Sequence, residues 1–133
     1  MGLFDAFKKK PAPDPPQVRP VAESFTCRLA GVDYPCLFPA RGKQERAFVL
    51  AYSRNREPCF LQVYEWEGKP AIAVRNAKRG EDMGVIPAKF VNRVLKLCQK
   101  YDIAVTLQNK RTYELNGDLH DGGDVQILCY EKT

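Results

Sequence analysis

The sequence predicts a mainly β (α+β) domain: a small antiparallel β-barrel of about six strands packed by one principal helix. Three observations predict it. Short runs rich in aromatic and β-branched residues recur along the chain, Gly, Asn and Asp cluster between them, and only one segment repeats its apolar residues with the helical period. A length of 133 residues and an apolar fraction of 44% fit one modest core.

The chain opens with "MGLFDAFKKK", in which Leu3, Phe4 and Phe7 share a helical face ahead of three lysines. The apolar part is too short, and the charges lie on the wrong side, for a secretory signal; Ala6 stands where a myristoylation motif asks for Ser or Thr. Residues 1–10 are therefore expected either to make weak peripheral contact with the inner face of a membrane, or to be a frayed or self-docked terminus. Residues 11–20, "PAPDPPQVRP", hold five prolines and form a polyproline spacer, and the folded domain is expected over residues 21–133. No segment approaches the roughly 20 apolar residues of a membrane-spanning helix, so a cytoplasmic location is expected.

"ESFTCRLAG" (23–31) alternates with Phe25, Cys27 and Leu29 on one face and predicts the first strand. "AFVLAYS" (47–53) and "CFLQVYEW" (59–66) are expected to be strands by composition, and "WEGK" (66–69) supplies the Gly of a tight hairpin between 59–66 and 70–75. Pro87 fits the first position of a helix whose apolar face is Phe90, Val91, Val94, Leu95, Leu97, Cys98 and Tyr101. Lys89, Arg93, Lys96 and Lys100 fall on the opposite face. Two further strands, "DIAVTLQNK" (102–110) and "VQILCYEK" (125–132), are expected around a Gly- and Asp-rich connection, "LNGDLHDGGD" (115–124).

Charge is distributed unevenly. The net charge is +5 with the single His120 neutral, but residues 41–111 carry fifteen basic and seven acidic side chains, whereas 114–133 carry one and five. A basic middle fits a polyanionic partner. Five cysteines, at 27, 36, 59, 98 and 129, include no CxxC pair, and most sit in apolar runs, as buried hydrophobes do in a reducing compartment. Asp121 and Asp124 of "HDGGD" are hard oxygen ligands, but a turn between strands accounts for them, so neither metal nor cofactor is expected. One His and no Gly-rich phosphate loop leave little for catalysis, and a binding module rather than an enzyme is expected.

Several short segments resemble the HIRAN domain family. "FTCRLAGVDY" (25–34) is similar to that family's opening strand and Gly-Val turn, and "KPAIAV" (69–74) to its inner strand. "MGVIPAKFVNRVLKL" (83–97) is similar to the family's strand, Pro and following helix, and "VQILCY" to its closing strand; the resemblance spans roughly residues 23–132. It implies an OB-like or SH3-like barrel in which Ala71 to Val74 form a central strand, "RNAKRGED" a loop, and Gly84 a close backbone passage. It also implies binding of single-stranded DNA or DNA ends by aromatic stacking, with a polar residue gripping the terminal sugar. Here the sequence departs from the family: its Asn-Pro-Tyr-Asp run falls on Glu65, Trp66, Glu67 and Gly68, so the gripping Asp is absent, and Asp33 replaces a basic residue before the matching Tyr34.

Stacking on a strand needs only π-faces and nearby positive charge. The candidate nucleic-acid-binding residues are accordingly Tyr34, Tyr64 and Trp66 as platforms, with Arg41, Lys43, Arg54, Arg56, Arg75, Lys78 and Arg79 from the basic loops. The competing expectation is a protein-interaction or scaffold module with a protein partner and no DNA binding.

Overall fold

The computed structural model describes residues 19–132. The predicted amphipathic segment 1–10, and all but the last two residues of the predicted spacer 11–20, lie outside the described residues. In chain order the elements are β1 (Glu23–Arg28), α1 (Arg46–Tyr52), β2 (Pro58–Trp66), β3 (Lys69–Asn76), β4 (Asp82–Val85), a 3₁₀ turn (Ala88–Phe90), α2 (Val91–Lys100), β5 (Tyr101–Leu115) and β6 (Asp118–Glu131). All six strands form one antiparallel sheet in the order β1-β6-β5-β2-β3-β4. The architecture is thus mainly β with one main helix. The ladder does not run on from β4 to β1; a single bridge just past β1 joins the two edges, where Ala30 and Val85 exchange both backbone hydrogen bonds at 2.9 Å.

The predicted β2–β3 hairpin is present, turned by Glu67 and Gly68 with φ of 52° and 79°. Positive φ at both positions is the primed turn whose twist matches that of paired strands. α2 buries Val91, Val94 and Leu97, half-buries Leu95 and Cys98, and exposes Arg93, Lys96 and Lys100, as its periodicity requires. Pro87 does not begin the α-helix itself; it caps the 3₁₀ turn that leads into it. Phe90 in that turn meets Phe25 of β1 edge-on at 5.2 Å, tying the helix entry to the first strand.

Two expectations are corrected. "AFVLAYS" is helix α1 rather than a strand over 47–53. Its buried residues Arg46, Val49, Leu50 and Ser53 follow the i, i+3, i+4, i+7 spacing of one helical face, while Phe48 is 62% exposed. An apolar run this short fits either period, and burial of the consecutive residues Val49 and Leu50, which a strand would point to opposite faces, decides for the helix. The expected connection 115–124 is mostly strand. β5 and β6 meet at a two-residue turn, Asn116 and Gly117, with φ of 53° and 85°. Asp121 and Asp124 therefore lie within β6, not in a turn. The glycines that suggest a loop serve packing: a Cβ on Gly123 would stand 3.1 Å from Leu107 and 3.5 Å from Leu50, so its absence lets α1 approach the sheet.

The core is one cluster in which Leu50, Ile72, Met83, Val94, Leu107 and Ile127 are almost wholly buried. Gly84 crosses β1 closely, since a Cβ there would stand 3.0 Å from the Ala30 carbonyl and the Leu29 side chain. All five cysteines are free thiols. Burial, reinforced by the Glu57 charge, pushes the Cys59 thiol up to about 12, and burial with Asp124 pushes Cys27 to about 11, so neither forms a reactive thiolate near neutrality. Among the described residues no helix is long and apolar enough to cross a membrane.

Candidate nucleic-acid interface

Between β1 and α1 the chain makes a loop, residues 29–45, that is held by isolated backbone bridges and by side chains. Gly31 turns it with φ +64°, Pro35 bridges to Glu45, and the Cys36 amide donates to the Gln44 carbonyl. At its base lies a buried ion pair. Arg46 Nε donates to Asp82 Oδ2 at 2.7 Å, and the two side chains are 4% and 0% exposed. The same carboxylate accepts from the Leu37 amide at 3.1 Å and the Phe38 amide at 2.8 Å, and Arg46 Nη1 donates to the Gly31 carbonyl. One acidic side chain thus fixes both the loop and the arginine that begins α1.

Glu81, beside it, accepts from Gln44 Nε2, from the Tyr52 hydroxyl and from Arg79 Nε. These partners supply the charge and donors that a buried carboxylate needs. Burial by itself raises the Asp82 carboxyl, but the two backbone amides and Arg46 outweigh it and hold its pKa below the ordinary carboxylate range; Tyr52, Gln44 and Arg79 do the same for Glu81 against its burial. A depressed folded-state pKa gives stability that is complete above the unfolded carboxylate value and is lost as pH falls through the folded one. Thermal melts followed by circular dichroism should therefore show Tm falling steeply below about pH 4, with less fall in Asp82→Asn, whose side chain does not titrate.

The pinned loop forms one wall of a cleft of about 890 Å³. Tyr34, Pro35, Cys36 and Leu37 supply that wall; Tyr64, Trp66 and Lys69 come from the tip of the β2–β3 hairpin; Val85, Ile86, Ala88, Val91 and Asn92 come from β4 and the entry to α2. Tyr64 and Trp66 share a face because they are two apart on one strand. Lys69 stands opposite Trp66 in the hairpin register. Tyr34 and Trp66 are 59% and 53% exposed, so large aromatic faces meet solvent at the mouth.

All three predicted aromatic platforms thus line a single cleft. The predicted basic residues do not line it. Arg41 and Lys43 are exposed farther along the same loop, and Arg54 and Arg56 are exposed in the turn before β2, where the Arg56 amide bonds the Leu107 carbonyl. Arg75 is engaged within the fold: its guanidinium lies 4.2 Å from the Phe38 ring centre and 4.7 Å from that of Phe60, and it donates to the Gly80 carbonyl. Arg79 lies over Tyr52 and pairs with Glu81 at 3.1 Å, and Lys78 is exposed beside it.

The cationic side chains that do line the cleft are Arg46, neutralised by Asp82, and Lys69, with Glu67 as the acidic member. Lys69 was open to inference, because a two-residue turn after Trp66 places it directly across the hairpin. Arg46 carries no such signal, since its partner lies 36 residues away. Asp33 lies 3.5 Å from His120 Nδ1, and His120 in turn stacks on Tyr113 at 5.6 Å. No metal-ligating cluster of His, Cys, Asp and Glu occurs among the described residues.

No protein-family model matches the chain, and no curated protein or solved structure is significantly similar to it.

Proposed function

We propose that the protein is a non-enzymatic, HIRAN-like binding module that takes single-stranded DNA or DNA ends in the aromatic cleft. The observation that carries this reading is the convergence of Tyr34, Tyr64 and Trp66, from two separate segments, on one cleft of about 890 Å³. Bases stack on such faces whatever their sequence, and Lys69 beside Trp66 offers a phosphate contact. A barrel-like closure belongs to the same proposal, and the Ala30–Val85 bridge between the sheet edges supports it. Gly68, standing where the family has a sugar-gripping Asp, favours stacking over recognition of a terminal hydroxyl.

The test is fluorescence anisotropy of the full chain with labelled single-stranded DNA bearing a free 3′ end, the same strand with that end blocked, and a duplex, each at two salt concentrations. Both single strands are expected to bind alike and better than duplex, and binding should weaken as salt rises. Absence of binding at low salt overturns the proposal and turns the search to protein partners.

A further inference from the structure

β2 and β5 pair through only two residue pairs, Pro58 with Thr106 and Cys59 with Val105. Beyond them the strands part, and the inner face of the sheet opens beside the end of α2 into an apolar groove of about 350 Å³. Cys59, Leu61, Val63, Cys98, Ile103 and Val105 line it, and Val63 is left 50% exposed. The groove shares no lining residue with the aromatic cleft. Its volume lies within the range of about 300–1,000 Å³ that accommodates large apolar groups.

The course of the chain shows what reaches this groove. Arg19 is fastened at the start of β5: Nη2 donates to Asp102 Oδ2 at 2.9 Å and to the Glu131 carbonyl at 2.5 Å, and the guanidinium lies 5.5 Å from the Tyr130 ring centre. Asp102 precedes Ile103, which lines the groove, but projects to the opposite face of the strand, so the chain ahead of Arg19 reaches the groove around the end of the sheet. Eleven residues, 8–18, precede Arg19, a length of chain whose reach is at most roughly 34 Å at the polyproline rise of about 3.1 Å per residue. Ahead of them stand Leu3, Phe4 and Phe7, and Phe4 and Phe7 are the only aromatic residues before Arg19. A tether this short presents its end to a nearby site at an effective concentration of order millimolar.

From this we propose that the groove between β2, α2 and β5 is the docking site of the chain's own amino-terminal segment, with Leu3, Phe4 and Phe7 filling it. The proposal is independent of the DNA reading. It covers apolar surface where the sheet is interrupted, and it commits the segment to the protein rather than to a lipid surface or a second copy.

A photo-crosslinking experiment on the full chain tests it. With Phe4→p-benzoylphenylalanine, irradiation of the monomer should join residue 4 to peptides containing Leu61 to Val63 or Cys98 to Val105. In the triple variant Leu3→Ser/Phe4→Ser/Phe7→Ser, alkylation of Cys98 should proceed severalfold faster than in the unaltered chain. Crosslinks that fall elsewhere, that join only two copies, or that form only when anionic vesicles are present overturn the proposal. So does an unchanged Cys98 rate.

Discussion

Replacing Asp82 by Ala should lower the unfolding free energy by about 3–5 kcal/mol, the usual cost of leaving one partner of a buried ion pair without the other. Arg46 is 4% exposed and has no second carboxylate among its hydrogen-bond partners, while the Leu37 and Phe38 amides lose their acceptor at the same time. Urea unfolding read by circular dichroism measures the effect. A paired replacement, Arg46→Met with Asp82→Leu, separates the two causes. If the uncompensated charge dominates, the pair recovers most of the loss; if the orphaned amides of the loop dominate, it does not. A fall below about 1 kcal/mol for Asp82→Ala would mean that the loop is not held by this carboxylate.

Removing the aromatic faces should have the largest effect on binding. Trp66→Ala and Tyr34→Ala should each cost about 1–3 kcal/mol in affinity for single-stranded DNA, about 5- to 160-fold in Kd. Both side chains are more than half exposed, so the substitutions should leave urea stability nearly unchanged. Phe48→Ala is the control: Phe48 is 62% exposed on α1 but does not line the cleft, and affinity should not move. Trp66 is the only tryptophan, so quenching of its emission during titration reports stacking directly. An effect of Phe48→Ala equal to that of Trp66→Ala would place binding elsewhere on the surface.

Local signals in the sequence were sufficient where one period or one turn residue dominated. The β2–β3 hairpin follows from strand composition on either side of Glu67 and Gly68, and α2 from the spacing of Val91, Val94 and Leu97. The run 47–53 was misleading because seven mostly apolar residues fit a strand or two helical turns equally, and only the distant contacts of Val49 and Leu50 choose between them. Residues 115–124 were misleading for the opposite reason: Gly122 and Gly123 mark close approach of Tyr113 and Leu107 rather than a bend, and the actual turn is the Asn116-Gly117 pair at one end. The aromatic members of the cleft could be nominated from composition and exposure. Their convergence could not, because Tyr34 is positioned by a carboxylate at residue 82 and Trp66 by a hairpin from another part of the sheet. Arg75 and Arg79 look like loop cations in sequence, yet the rings and carboxylate that engage them are settled only by the fold.

The strand order also governs how the protein comes to be folded. β1 pairs with β6, so Glu23 waits for Cys129 and Arg28 for Asp124 across about a hundred intervening residues. Contacts of such long range slow folding, because the chain loses the entropy of closing a large loop before any pairing compensates it. During synthesis at roughly 5–20 residues per second, β1 emerges many seconds of chain growth before its neighbour and presents Phe25, Cys27 and Leu29 unpaired throughout that interval. The β2–β3 and β5–β6 hairpins close locally and can form early, leaving the first strand as the last to be seated. Holding chaperones would find their binding segment there, at residues 23–29, on the ribosome rather than in the finished fold.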